Sequence, residues 1–254
     1  MIEFEPAITS NALEQFTLPL YYFDHNRKPE QWATGFIVEL KKQYFLVTAA
    51  HVRASREKAK GPLFYFYDHN KTMEIGNMTI TKPNSKTGID RWDLAVAKLP
   101  DGGGPPYEAV NKRAIGYHQL TPSLVPRSDW NYVAVGYPNS KNKVYQPKIE
   151  GRALIILSNS PSQDVYDSMS LDEQHLLIQY DRSFKSKSKI YPKIKGMSGG
   201  PIFAISDNEA PSNLTEVRVV AVSTDYFEDK NLIKGTDVAP LLFIIESLFK
   251  SNKK

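Results

Sequence analysis

The sequence predicts an all-β protein built from antiparallel barrels or sandwiches, and three observations carry that reading. Short runs rich in β-branched and aromatic residues recur along nearly the whole chain, with turn-forming residues between them. Few stretches space their apolar residues at helical intervals. One glycine-rich stretch, Lys195-Gly196-Met197-Ser198-Gly199-Gly200-Pro201, suits neither a helix nor a strand interior, because glycine loses the most backbone freedom on ordering.

In chain order, residues 1–16 are mixed and read as an arm or a short helix. Leu18 to Phe23 is strand-like, and Asp24-His25-Asn26-Arg27 is a turn. Trp32 to Val38 is a second strand, in which Gly35 marks a bulge or a close backbone approach. Tyr44 to Val52 is a third and carries His51, and Arg53 to Lys60 suggests one or two helical turns. Leu63 to Tyr67 and Met73 to Thr81 are further strands, followed by Asp93 to Leu99 and a loop at Asp101-Gly102-Gly103-Gly104-Pro105-Pro106. Residues 119–128 carry two prolines and no clean period, and read as the connection between two halves. The second half holds strands at Trp130 to Gly136, Gly151 to Leu157, His175 to Tyr180, Pro201 to Ile205 and Val217 to Ser223, with a polar loop from Ser158 to Glu173. At the end, Thr236 or Asp237 can cap a helix with Pro240 in its first turn, and Leu241, Ile244, Ile245 and Leu248 form its apolar stripe.

Composition narrows the function classes. The chain has 254 residues, 41% hydrophobic and 24% charged, within the range of ordinary globular proteins. No apolar run is long enough to span a bilayer, and the acidic N-terminal residues do not resemble a secretory signal. There is no cysteine, which fits a reducing compartment, so a cytoplasmic location is expected. A net charge of +4 does not by itself argue for nucleic acid. The five histidines include no H-E-x-x-H pattern, so no metal and no cofactor is expected. Asp68, His69, Asn70 and Glu74 could offer oxygen ligands but read better as a hairpin turn.

The glycine-rich stretch suggests chemistry. A tight turn there exposes bare N–H groups beside the Ser198 hydroxyl, and such donors stabilise the oxyanion formed when a hydroxyl attacks a carbonyl. A serine needs a base, and the base needs an orienting group. His51 ends an apolar run through two small residues, Ala49 and Ala50. Asp93 opens the run Leu94-Ala95-Val96-Ala97, where a carboxylate must find a donor; Asp90 is its competitor.

With T-A-A-H at His51, D-L-A-V at Asp93 and G-M-S-G-G-P at Ser198 in that order, the sequence resembles the chymotrypsin/trypsin-like serine peptidases. Strand Trp130 to Asn139 is closer to the disulfide-free HtrA-like bacterial branch, here without a PDZ domain. The resemblance spans about Leu18 to Ile245. It implies two antiparallel Greek-key β-barrels with the active site between them and a C-terminal helix: an N-terminal arm and first barrel over 1–118, a linker over 119–128, a second barrel over 129–239, and a helix and tail over 240–254. It further implies a serine endopeptidase with Ser198 as nucleophile, His51 as base and Asp93 as orienting carboxylate. The N–H groups of Gly196 and Ser198 would form the oxyanion hole, with Ser223, Thr224 and Asp225 lining the substrate cleft. Digestive members carry aspartate where this chain has Met197, so activation by a new N-terminal amine is not expected here. The implied partners are a protein or peptide substrate and a regulatory protein; a peptide-binding module on the same fold is the alternative. Substrate charge is ambiguous: Arg182 to Lys195 carries six positive charges in fourteen residues, whereas Asp225 would favour a basic side chain.

Overall fold

A computed structural model describes residues 12–54, 62–68, 71–88, 90–100, 113–122, 130–140, 153–169, 171, 174–180, 193–206 and 217–251. Two curled antiparallel half-barrels and a C-terminal helix make up the fold. The first sheet runs β5-β4-β1-β2-β3-β7-β6, with β8 added in parallel to β2. Its strands are β1 (Leu18–Phe23), β2 (Pro29–Leu40), β3 (Gln43–Ala49), β4 (Phe64–Asp68), β5 (Lys71–Glu74), β6 (Met78–Ile80), β7 (Leu94–Lys98) and β8 (Ile115–Gly116). The second runs β10-β9-β12-β13-β14-β11, from β9 (Trp130–Gly136), β10 (Leu154–Asn159), β11 (His175–Gln179), β12 (Pro201–Ser206), β13 (Arg218–Phe227) and β14 (Leu232–Asp237).

The central strands are apolar on both faces because each face meets a different core. Leu46 and Ala49 of β3 pack with Leu20, Ile37 and Tyr65 inside the first sheet. Tyr132 and Ala134 of β9 pack with Ile202 and Val220 inside the second. The alternate residues of both sheets, among them Phe36, Val47, Val96, Val135, Phe203 and Val219, meet in a third cluster shared by the two sheets. Full burial of each such side chain stabilises the fold by about 1.5–3 kcal/mol, so this shared cluster holds the halves in one relative position.

Helix α3 (Val238–Ser251) belongs to that shared cluster through Val238, Leu241 and Ile245. It therefore packs against both halves and begins at Val238, with Pro240 in its first turn. Asp237 Oδ1 accepts the Ala239 N–H at 2.7 Å, so Asp237 is the N-cap. Segment 115–121 bridges the sheets: Ile115 pairs with Val38, while Leu120 pairs with Val219 and the Thr121 N–H donates to the Val219 carbonyl.

Several elements depart from the sequence reading. Met73 to Thr81 is two strands, not one; β5 pairs with β4 and β6 with β7, and the chain changes partner at Ile75-Gly76-Asn77. The polar segment Ser158–Glu173 holds a short helix, α2 (Gln163–Ser168). Its Tyr166 is buried, and the hydroxyl accepts the Leu177 N–H at 2.7 Å. Strand β14 was not foreseen, because Leu232 to Asp237 has a glycine and three polar residues. The glycine run at 101–106, residues 123–128 of the linker and His69-Asn70 lie outside the described residues.

Candidate active site

His51 sits on a short helix, α1 (Ala50–Ala54), rather than on the end of the strand. The β3–β7 ladder brings Ala49 opposite Leu94, and the Ala50 N–H extends it to the Asp93 carbonyl at 2.9 Å. Asp93 itself has φ 51°, in the left-handed region that aspartate tolerates better than most residues. That conformation turns its carboxylate back over α1. Asp93 Oδ1 accepts the His51 backbone N–H at 2.7 Å, and Oδ2 lies 2.6 Å from His51 Nδ1. The carboxylate therefore fixes both the position and the ring of His51. Asp90 is committed elsewhere: it accepts the Thr81 hydroxyl and the Trp92 N–H.

The His51 side chain remains about half exposed while that of Asp93 is 13% exposed. Partial burial acts to lower the His51 pKa. The Asp93 hydrogen bond and charge, with a further contribution from Asp225, outweigh it and hold the pKa above a histidine's ordinary 6.5; Lys234 acts in the lowering direction.

The Ser198 turn comes from the second sheet and is pinned on three sides. Residues Ile194 to Met197 form a β-turn closed by the Met197 N–H to the Ile194 carbonyl at 3.0 Å. Gly196, its third residue, has φ 100°, the positive value that a type II turn requires there. The Lys195 carbonyl accepts the Asn139 N–H at 2.8 Å, which fixes the orientation of the Lys195–Gly196 peptide. A Cβ on Gly196 would collide with Asn139 Oδ1. Among the described residues none accepts the N–H of Gly196 or of Ser198.

On the second side, the turn interlocks with β13. The Gly199 N–H donates to the Ser223 carbonyl at 2.7 Å, and the Ser223 N–H donates to the Gly200 carbonyl at 2.8 Å. On the third, it meets the first sheet through Thr34, which is fully buried. Thr34 N–H donates to the Ser198 carbonyl at 3.0 Å, and its hydroxyl donates to the Gly196 carbonyl at 2.9 Å while accepting the Tyr137 N–H at 2.8 Å. The Thr34 carbonyl accepts the Thr48 hydroxyl at 2.8 Å. Gly199, at φ 90°, fits against this cluster so closely that a Cβ would collide with Thr48 Oγ1 and the Thr34 carbonyl. It would also stand 2.9 Å from the Ala49 nitrogen, two residues before His51. The Ser198 turn is thus seated on the chain end that leads into the histidine.

Met197 is 2% exposed and packs in the core of the second sheet, its Cβ lying 3.0 Å from where a Cβ of Gly136 would be. Ser223 and Thr224 are buried on β13, and Asp225 is exposed. Asp225 pairs across the ladder with Lys234, Nζ to Oδ2 at 3.6 Å. Its carboxylate therefore already has a cation opposite. Of the basic stretch from Arg182 to Lys195, only residues 193–195 are described. Among the described residues, no three His, Cys, Asp or Glu side chains converge as a metal-binding group, and no helix is long and apolar enough to cross a membrane.

Sequence reasoning missed Thr34, Asn139 and Lys234. The signal for Thr34 was a polar residue next to Gly35 within an apolar strand. Lys234 gave none, because its partner is set by a hairpin that the sequence did not announce.

Comparison with known proteins gives a consistent picture. The sequence matches the family described as "Trypsin-like peptidase domain" over residues 33–210. No curated protein sequence matches the chain. Among solved structures, it is similar to neuropsin, described as a serine protease expressed in the limbic system of mouse brain. The TM-score is 0.56 at 12% identity, over 94% of this chain and 96% of that one; at that identity the likeness bears on the fold alone.

Proposed function

The chain belongs to the trypsin-like peptidase family, and on that premise we propose that it is a serine endopeptidase acting through Ser198, His51 and Asp93. The observation that carries the reading is the two-point grip of Asp93 on His51, beside a serine turn seated against Ala49.

In this reading Asp93 holds the proton on Nδ1, so Nε2 faces outward as the base. Nε2 takes the proton of Ser198 Oγ as the oxygen attacks the substrate carbonyl. The N–H groups of Gly196 and Ser198 receive the oxyanion; that no described residue accepts from them supports this, since preorganised donors need no rearrangement during the reaction. The imidazolium then gives its proton to the leaving amine. A water molecule, deprotonated by the same nitrogen, cleaves the acyl-enzyme and restores Ser198. Ser223 to Asp225, interlocked with Gly199 and Gly200, would line the cleft.

Met197 gives this chain no carboxylate for a new terminal amine. Its place in the core and the ties from Thr34 and Asn139 support a turn that is set without cleavage. Met197 and the lack of cysteine support kinship with the HtrA-like branch, and the lack of cysteine supports a cytoplasmic location.

The test is Ser198→Ala, with peptide hydrolysis and thermal unfolding measured together. The variant should lose on the order of 10⁶ in kcat, as for triad members acting as a unit, with its unfolding temperature nearly unchanged. Retention of more than about a hundredth of the activity would exclude Ser198 as nucleophile.

A further inference from the structure

The charge at the cleft has an uneven arrangement. Asp225 and Lys234 face each other on β13 and β14, beside the bulge at Ser223 that interlocks with the serine turn. Alternate residues of a strand share a face, so Lys234 lies on the same face of β14 as Thr236. The Thr236 hydroxyl donates to the Trp92 carbonyl at 2.7 Å, next to Asp93. This places the pair on the side of the second sheet that looks at the Trp92–Asp93 segment, and His51 feels the charges of both.

The two partners differ in freedom. The Lys234 side chain is 13% exposed, whereas that of Asp225 is 58% exposed. Their 3.6 Å separation is long for a charge-assisted hydrogen bond, which is shorter than about 2.9 Å. An ammonium group has three donors to offer, and one loose, solvated carboxylate uses little of that capacity. Asp225 is therefore held loosely from its solvent-exposed side and can swing into water. Lys234, with its stem enclosed, stays.

The remaining described charges near the turn point the same way. Asp93 is committed to His51. Lys193 and Lys195 are exposed next to Gly196, and Lys195 Nζ stands 5.9 Å from the centre of the Trp32 ring. Asp93 and Asp225 each have a partner, while Lys193 and Lys195 add exposed positive charge beside the turn.

We propose that the cleft contains an anion-selecting subsite at the Lys234 ammonium, which takes an aspartate or glutamate side chain of the peptide, with Asp225 as the carboxylate that the substrate displaces. The inference rests on the peptidase reading, and it resolves the conflict between the basic stretch and Asp225. Asp225 does not select a basic side chain, because Lys234 already answers it.

The experiment profiles hydrolysis of a peptide library, varied one position at a time on each side of the scissile bond, by wild type, Lys234→Gln, Lys234→Glu and Asp225→Asn. Wild type should favour Asp or Glu over Lys at one position by about tenfold or more, the scale of one hydrogen bond to a charged group. Lys234→Gln should erase that ratio, Lys234→Glu should invert it, and Asp225→Asn should increase it by removing the competing carboxylate. An unchanged ratio in Lys234→Gln protein that unfolds like wild type, or a wild-type preference for Lys at every position, would overturn the proposal. Fluorophosphonate labelling of wild-type Ser198 separates the two claims. If labelling fails, the peptidase reading has failed. The subsite is then tested by binding: tighter binding of a Glu-containing peptide than of its Lys counterpart, lost in Lys234→Gln, supports it, and equal binding overturns it.

Discussion

His51 and Asp93 lie just beyond the adjoining ends of two neighbouring strands of one sheet, whereas the Ser198 turn belongs to the other sheet and is fastened across the junction. The first pair is set by the local β3–β7 ladder and by a carboxylate that grips its neighbour twice. The second is set at a distance, through Thr34 and Asn139, by bonds to the carbonyls of Ser198, Gly196 and Lys195. The pair can form wherever the first sheet forms. The turn needs both sheets in place, because Thr34 lies on β2 and Gly196 precedes β12. Damage to the first half should therefore alter proton transfer, and damage to the junction should alter the geometry of attack.

Asp93→Asn should break that comparison most severely on the first side. The amide still fits but cannot accept from Nδ1–H and the backbone alike with full charge, and kcat should fall by about 10⁴, the loss seen when the orienting carboxylate of such a triad is removed. Thermal unfolding should change far less than activity. A loss of under tenfold would mean that His51 does not depend on Asp93.

Thr34→Val probes the junction. It keeps the shape but removes the Thr34 acceptor from the Tyr137 N–H and leaves the Gly196 carbonyl with the longer 3.5 Å contact from Gln31 Nε2, at a cost of about 1–3 kcal/mol. The unfolding temperature should drop by several degrees, at about 2–4 °C per kcal/mol for a chain approaching this size. The mechanistic signature is a lower kcat with KM little changed, as for an interaction made only in the transition state. Thr34→Ser, which restores the hydroxyl, should recover most of kcat. If Val and Ser variants had equal kcat, the hydroxyl would have no positioning role.

The pH profile sharpens the contrast with a smaller effect. The His51 pKa is raised above 6.5, so the neutral base is lost on acidification at a pH higher than for an ordinary histidine. Asp93→Asn should move that acid limb downward, while Thr34→Val should leave it in place. Stability runs the other way. With the folded pKa raised, the stabilisation from charged His51 is complete below about 6.5 and fades as pH rises through the folded value. A limb that moved in Thr34→Val and not in Asp93→Asn would reverse the assignment of the two halves.

Much of the fold was legible because its strands carry dense apolar runs, and because Ser198 lies among glycines that only a turn tolerates. Strands β1, β3, β7, β9 and β12 fall close to the runs that announced them. Pairing was less legible: β5 and β6 read as one strand because nothing local says that the chain changes partner at Gly76. Tyr166 in α2 owes its role to Leu177, a contact outside any helical pattern. At the site, Asp93 could be singled out from Asp90 by the apolar run it opens, but its positive φ could not be read. Thr34 was hidden for a similar reason. Its hydroxyl answers a carbonyl about 160 residues away, and long-range hydrogen bonds leave no period in a sequence.

Fluorophosphonate labelling of the intact chain at neutral pH, with the adduct mapped by mass spectrometry, tests the central claim directly: that Ser198 is an activated nucleophile in a site already assembled. The account predicts one adduct, on Ser198, absent in His51→Ala, and formed at the same rate when a non-cleavable domain is fused to Met1. No adduct on Ser198, or an adduct that forms only after the fusion is trimmed away, would contradict it.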